Sequence, residues 1–112
     1  MFNKKTLILG ASSNPNRYSY MAANKLQNHG HSIVEVGRNN PEIPSESDIH
    51  TVTMYLNKVH QKAYENQVLA LKPQRVVFNP GAENPEFANE LEKNGIEAIN
   101  ACTLVMLSTN QY

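Results

Sequence analysis

The run Lys-Thr-Leu-Ile-Leu-Gly-Ala-Ser-Ser-Asn-Pro-Asn-Arg, from Lys5 to Arg17, restricts the fold of this chain more than any other segment. Residues 6–9 are short, almost wholly apolar and ended by Gly10, the pattern of a buried central strand. Residues 18–28 then place Ala22, Ala23 and Leu26 on one face at helical spacing. Gly30 follows where a left-handed C-terminal cap is expected. A buried strand that feeds a helix through a turn this short predicts a return to a parallel strand.

The rest of the chain repeats the alternation. Residues 32–36, with Ile33, Val34 and Val36, predict a second strand, and residues 38–48, with Pro41 and Pro44, a loop. Residues 49–56 predict a third strand with Val52, Met54 and Leu56 on one face. Residues 58–71 predict a helix with Val59, Ala63, Val68 and Leu71 inward, stopped by Pro73. Residues 75–78 predict a fourth strand, followed by an Asn79-Pro80-Gly81 turn. Asn84-Pro85 predicts an N-cap with proline at the first helical position. That helix buries Phe87, Ala88 and Leu91 and ends before Gly95. Residues 96–101 predict a fifth strand, and the apolar residues 102–107 fit either a short helix or a further strand. The expected architecture is a single α/β domain over residues 1–112: a Rossmann-like, doubly wound, five-stranded parallel sheet in three αβα layers, with strand order 3-2-1-4-5. That order sets the first and fourth strands side by side, with a crevice at their carboxyl ends.

Composition narrows the function classes. A chain of 112 residues builds one core. Ten basic and ten acidic residues cancel, so no global field draws in a nucleic acid or an anionic membrane, and any anion site is local. No apolar stretch reaches the ~18–20 residues of a membrane span, and the run after Lys5 is too short for a signal peptide. The one cysteine, Cys102, excludes an internal disulfide, and no ligand spacing suggests a metal. A cytoplasmic protein without nucleic-acid or membrane partners is expected.

A strand–glycine–helix junction presents backbone N–H groups and the positive end of a helix dipole, a combination suited to phosphate. The dinucleotide fingerprint G-x-G-x-x-G is not intact, because its positions hold Gly10, Ser12 and Pro15. Ser12 and Ser13 offer hydroxyl donors, Asn14 suits a turn, and Arg17 adds forked donors for phosphate oxygens. A plain turn with a capping Ser13 or Asn14 is the simpler alternative. The second strand ends in Val36, Gly37 and Arg38, without the terminal acid that bonds an NAD ribose. Glu35 lies one or two positions early for that role. Arg38 favours a ribose phosphate, at the 2′ position as in NADP or at the 3′ position as in coenzyme A.

Residues 9–20, Leu-Gly-Ala-Ser-Ser-Asn-Pro-Asn-Arg-Tyr-Ser-Tyr, resemble the first turn of the small single-domain CoA-binding proteins, which are similar to the CoA-binding Rossmann-like domain of succinyl-CoA synthetase α subunits. Asn-His-Gly-His at 28–31, Phe-Asn-Pro-Gly-Ala-Glu-Asn at 78–84 and Ala-Cys-Thr-Leu-Val-Met-Leu at 101–107 extend the resemblance over nearly the whole chain. It implies coenzyme A as ligand. Gly10, Ala11, Ser12 and Ser13 would cradle the pyrophosphate, with Asn14, Arg17 and Ser19 around it. Gly37 and Arg38 would lie by the adenosine end. Leu56 and Asn57 would border the crevice after the third strand, and Asn79, Pro80 and Gly81 after the fourth. The connection after Arg38 is shorter than in the family, and a parallel crossover normally takes about a dozen residues.

The remaining polar residues suggest little chemistry. His29 and His31 flank Gly30 as turn residues, and His50 and His60 lack a neighbouring nucleophile. Glu83 and Glu86 favour a helix start, and Glu83 sits in a turn facing the expected crevice. The expected function is binding of coenzyme A or an acyl-CoA by a regulatory or carrier module without evident catalytic residues. The alternatives are a small NAD(P)-dependent oxidoreductase or dinucleotide sensor, and a partner protein with a vestigial site. A homodimer contact through residues 102–107 stays open.

Overall fold

The computed structural model describes residues 3–37, 43–44 and 48–112. Five strands, β1 (Thr6–Ala11), β2 (Ile33–Gly37), β3 (Thr51–Met54), β4 (Arg75–Phe78) and β5 (Glu97–Asn100), pair in parallel throughout. Helices α1 (Tyr18–Asn28) and α5 (Thr103–Ser108) cover one face. The other is covered by α3 (Glu65–Leu71) and α4 (Pro85–Lys93), with α2 (Lys58–Gln61) leading into α3 through a tight turn at Lys62–Tyr64. The doubly wound α/β architecture is the expected one, and the apolar segment after β5 forms a helix from Thr103, with Cys102 at its N-cap.

The strand order is 2-1-3-4-5 rather than 3-2-1-4-5, so β3 separates β1 from β4. Two physical facts select this order. Glu35, in the middle of β2, is exposed, and a charged residue mid-strand is tolerated on an edge but not inside a sheet. All four residues of β3 are buried, including two threonines. Thr51 Oγ1 accepts from Arg75 Nε of β4 at 2.8 Å, and Thr53 Oγ1 accepts from Asn79 Nδ2 at 2.8 Å and pairs with Thr103 Oγ1 at 2.7 Å. Those partners exist only if β3 lies beside β4 and beneath α5, and buried hydroxyls without them would be costly.

Strand alternation then sorts the core into two layers. Leu7, Leu9, Val52, Met54, Val76 and Phe78 pack against Tyr64, Val68, Phe87 and Leu91 on the α3–α4 face. Ile8 and Val77 pack against Ala23, Leu26, Met106 and Leu107 on the α1–α5 face. The inner face of residues 58–71 differs from the expected one: Val59 and Ala63 are exposed, while Gln61 and Tyr64 are buried. The tight turn at Lys62–Tyr64 breaks the 3.6-residue phase, and the Gln61 side chain is satisfied inside. Its Nε2 donates to the carbonyls of Leu56 (2.8 Å) and Ala82 (2.7 Å), and its Oε1 accepts from Asn84 Nδ2 at 2.8 Å.

Candidate functional site

In a 2-1-3-4-5 sheet the direction of winding reverses between β1 and β3, and a ligand crevice is expected above that point. A crevice of about 640 Å³ opens there. The first wall is Gly10, Ala11, Ser12 and Ser13 with Arg17, Tyr18 and Ser19 at the start of α1. Gly37 closes the β2 side, Tyr55, Leu56, Asn57 and His60 form the β3–α2 wall, and Pro80 and Gly81 reach in from beyond β4.

The first wall is made by local bonding. β1 continues past Gly10 to Ala11, with a register shift against β2 between Leu9 and Ala11. Gly10 has φ +95°, and a Cβ there would stand 3.2 Å from the backbone of Tyr55 and Leu56 and from the Leu56 side chain. Glycine is therefore needed for the close approach of β1 to the β3–α2 loop as well as for its dihedral. Beyond it, Ser12 Oγ accepts from Asn14 N–H, Asn14 Oδ1 accepts from Asn16 N–H, and Arg17 N–H donates to the Asn14 carbonyl, each at 3.0 Å. These bonds fold the turn. The N-terminus of α1 has no side-chain cap and no acidic residue in its first turn. Its first residues, Tyr18 and Ser19, line the crevice beside Arg17, and among the described residues no carboxylate lines it. An uncapped helix start beside a guanidinium is a combination suited to an anion.

On the opposite wall Asn57 caps α2. Its Oδ1 accepts from His60 N–H at 3.1 Å and lies 2.8 Å from His60 Nδ1. The backbone donor identifies the Asn57 atom as oxygen, so His60 Nδ1 carries the proton in this pair. Tyr55 is largely buried, and burial pushes its phenol up to about 12. The Thr103 and Thr53 hydroxyls lie close enough to oppose the shift, but their short bond is to each other, and among the described residues Tyr55 Oη has no hydrogen-bond partner. The Tyr55 hydroxyl is therefore neutral at physiological pH. Gly81, at φ +93°, donates its N–H to Glu83 Oε1 at 3.0 Å.

Of the residues expected at the site, Gly10, Ala11, Ser12, Ser13, Arg17, Ser19, Gly37, Leu56, Asn57, Pro80 and Gly81 come together on this crevice. Asn14 is exposed and spent on the turn. Asn79 is 2% exposed and lies off the lining: it donates to Thr53 Oγ1 (2.8 Å) and the Met54 carbonyl (2.9 Å) and accepts from Thr103 N–H (2.9 Å). It ties β3, β4 and α5 together beneath the floor. Arg38 lies outside the described residues. Tyr18, Tyr55 and His60 join the lining unannounced; the last two sit in the loop and helix start after β3, and that position was their signal. Among the described residues no three His, Cys, Asp or Glu side chains come together to hold a metal ion, and no helix is long and apolar enough to cross a membrane.

The sequence profile of the CoA binding domain matches residues 4–108. The chain belongs to that family. A crystal structure of an uncharacterized protein shares 45% identity with it, with all of both chains covered and a TM-score of 0.95. A conserved hypothetical protein from Pyrococcus furiosus shares 26% identity over 93% of this chain and 98% of its own, with a TM-score of 0.71. A Thermus thermophilus protein, cell-free ID.343, has the same fold at 19% identity, with coverage of 98% and 91% and a TM-score of 0.79. No curated protein matches the chain.

Proposed function

We propose that this CoA-binding domain holds coenzyme A or an acyl-CoA as a regulatory or carrier module, without chemistry of its own. The observation that carries the reading is the uncapped N-terminus of α1, beside Ser12, Ser13 and Arg17, in a crevice lined by no carboxylate among the described residues. A pyrophosphate at this wall meets backbone N–H groups from residues 10–13, the Ser13 and Ser19 hydroxyls and the Arg17 guanidinium. Gly37 leaves room for the adenosine end, and Arg38 is assigned to that end. Leu56, Asn57, Pro80 and Gly81 border the path of the pantetheine arm. Asn14 and Asn79 act as positioning residues, through the turn and the floor.

A ligand of the native state raises its stability by mass action, about 2.7 kcal/mol at a hundredfold excess over Kd. Coenzyme A is therefore expected to raise Tm in a dose-dependent manner, with NADPH and NADH inactive at the same concentration. Stabilisation by a nicotinamide dinucleotide and not by coenzyme A would replace this reading with that of a small NAD(P)-dependent oxidoreductase or sensor. Isothermal titration with coenzyme A and acetyl-CoA then separates a free thiol from a thioester as the preferred cargo.

A further inference from the structure

At the end of the sheet opposite the crevice, the first residues of β1, β3 and β4 set Thr6, Thr51 and Arg75 in one row. Tyr112 packs on that row, 9% exposed, and its hydroxyl bonds Thr6 Oγ1. Thr6 Oγ1 itself donates to the Lys4 carbonyl at 2.8 Å, so the phenol is the donor in that pair. Three basic side chains surround the Tyr112 ring. The Arg75 guanidinium carbon stands 4.4 Å from the ring centroid, Lys4 Nζ 5.9 Å and the His31 ring centroid 5.1 Å. Lys4 Nζ also donates to the Tyr112 carbonyl. His50 joins them through Thr51 Oγ1, which lies 2.7 Å from His50 Nδ1 and accepts from Arg75 Nε at 2.8 Å.

A buried guanidinium ordinarily has a carboxylate beside it and acceptors for its N–H groups. Arg75 is 9% exposed, yet among the described residues its Nη2 is buried without an acceptor and it forms no ion pair. Glu97, its register partner on β5, is exposed and also forms no ion pair among the described residues. The basic groups crowd one another: the Lys4 ammonium is held below its usual pKa by burial and then by Arg75. His31 Nδ1 accepts the Lys4 N–H, so the neutral ring carries its proton on Nε2 and remains a donor. A guanidinium fork, an ammonium and an imidazole N–H together match the oxygens of a tetrahedral anion. We propose that this end of the sheet binds a small free oxyanion of the phosphate or sulfate class through Arg75, Lys4 and His31, with Tyr112 as its lid. In the closed form the Tyr112 ring face and carbonyl hold the cations in the anion's place. The ring covers the guanidinium, so the anion enters as the ring swings out, and binding is coupled to release of residues 109–112. The site lies far from the coenzyme A crevice and stands whether or not that reading holds.

The test is an NMR titration of the whole protein with sodium sulfate, against sodium chloride at equal ionic strength. Sulfate should give saturable shifts at Lys4, His31, His50, Arg75 and Tyr112. Shifts confined to residues 10–19 would place sulfate in the crevice alone and overturn the proposal, as would shifts that chloride reproduces or that never saturate. Lys4→Gln should weaken sulfate at this end of the sheet about tenfold, the scale of one hydrogen bond to a charged group. Tyr112→Ala removes the lid and should tighten sulfate at least threefold, because the open form no longer has to be populated first. Unchanged affinity in K4Q overturns the site, and unchanged or weaker binding in folded Y112A overturns the lid. Lys4 is partly exposed, so K4Q is expected to fold, and it decides the proposal alone if Y112A does not.

Discussion

Asn79 offers the sharpest separation between a ligand contact and a support beneath the site. Its amide makes three buried hydrogen bonds, to Thr53 Oγ1, the Met54 carbonyl and Thr103 N–H. Asn79→Ala removes all three. Thr53 Oγ1 keeps its bond to Thr103 Oγ1, but the Thr103 N–H at the start of α5 is left buried without an acceptor. At about 1 kcal/mol for each of two lost bonds and ~1–2 for the stranded N–H, the cost is about 3–4 kcal/mol. A chain of 112 residues has roughly 6–17 kcal/mol in total at 0.05–0.15 per residue, so the variant folds with much of its margin gone. At about 4 °C per kcal/mol for a domain of this size, Tm should fall by ~12–16 °C. Differential scanning calorimetry measures the fall. Titration with coenzyme A at 15 °C, where both proteins are folded, should give affinities within about threefold. A Tm loss under ~4 °C, or a tenfold loss of affinity in the folded variant, would refute the assignment of Asn79 as a strut.

Other outcomes follow from the same geometry. Gly10→Ala forces a side chain onto φ +95° and to 3.2 Å from Tyr55 and Leu56 backbone, so both Tm and coenzyme A affinity should drop, as read by melting with and without ligand. Tyr55→Phe removes a buried hydroxyl without a partner and should leave Tm unchanged or higher; a clear loss of stability would show that the hydroxyl is bonded in solution. Acid should destabilise the protein through His31 and His50, whose pKa values lie below the usual imidazole value, first because of burial and then because Lys4 and Arg75 crowd them. His31 Nδ1 also accepts the Lys4 N–H at 3.0 Å, a bond that a proton on that nitrogen would abolish. The unfolded chain binds these protons more readily, so stability is fully present above about pH 6.5 and falls as pH drops below it. Denaturant midpoints at pH 7.5 and 5 should show the loss, and His31→Asn, which keeps an acceptor, should reduce it; a flat profile would contradict the cluster.

Much of the candidate site was legible because phosphate chemistry is local. Gly10, Ser12, Ser13 and Arg17 lie within eight consecutive residues, and strand–turn–helix continuity brings them onto one wall whatever the rest of the sheet does. The far wall was read through resemblance, with Leu56 and Asn57 named but Tyr55 and His60 passed over. Asn79 shows the converse: polar, after a strand and beside a glycine turn, it has the sequence signature of a ligand contact, yet at 2% exposure its hydrogen bonds face inward. Only its partners on β3 and α5 distinguish the two roles.

The sequence by itself determined the alternation of strands and helices, the cap at Asn84, the left-handed glycines at 30 and 95, and the strand–glycine–helix turn. Each depends on dihedral preferences, capping or a burial period that acts within about ten residues. Tertiary structure decided the strand order, the inward turn of Gln61 and Tyr64, and the gathering of Lys4, His31 and Arg75 around Tyr112. Those depend on which distant groups satisfy a buried hydroxyl or surround a buried ring. Thr51 and Thr53 look the same on an edge strand or a central one until Arg75, Asn79 and Thr103 arrive to bond them.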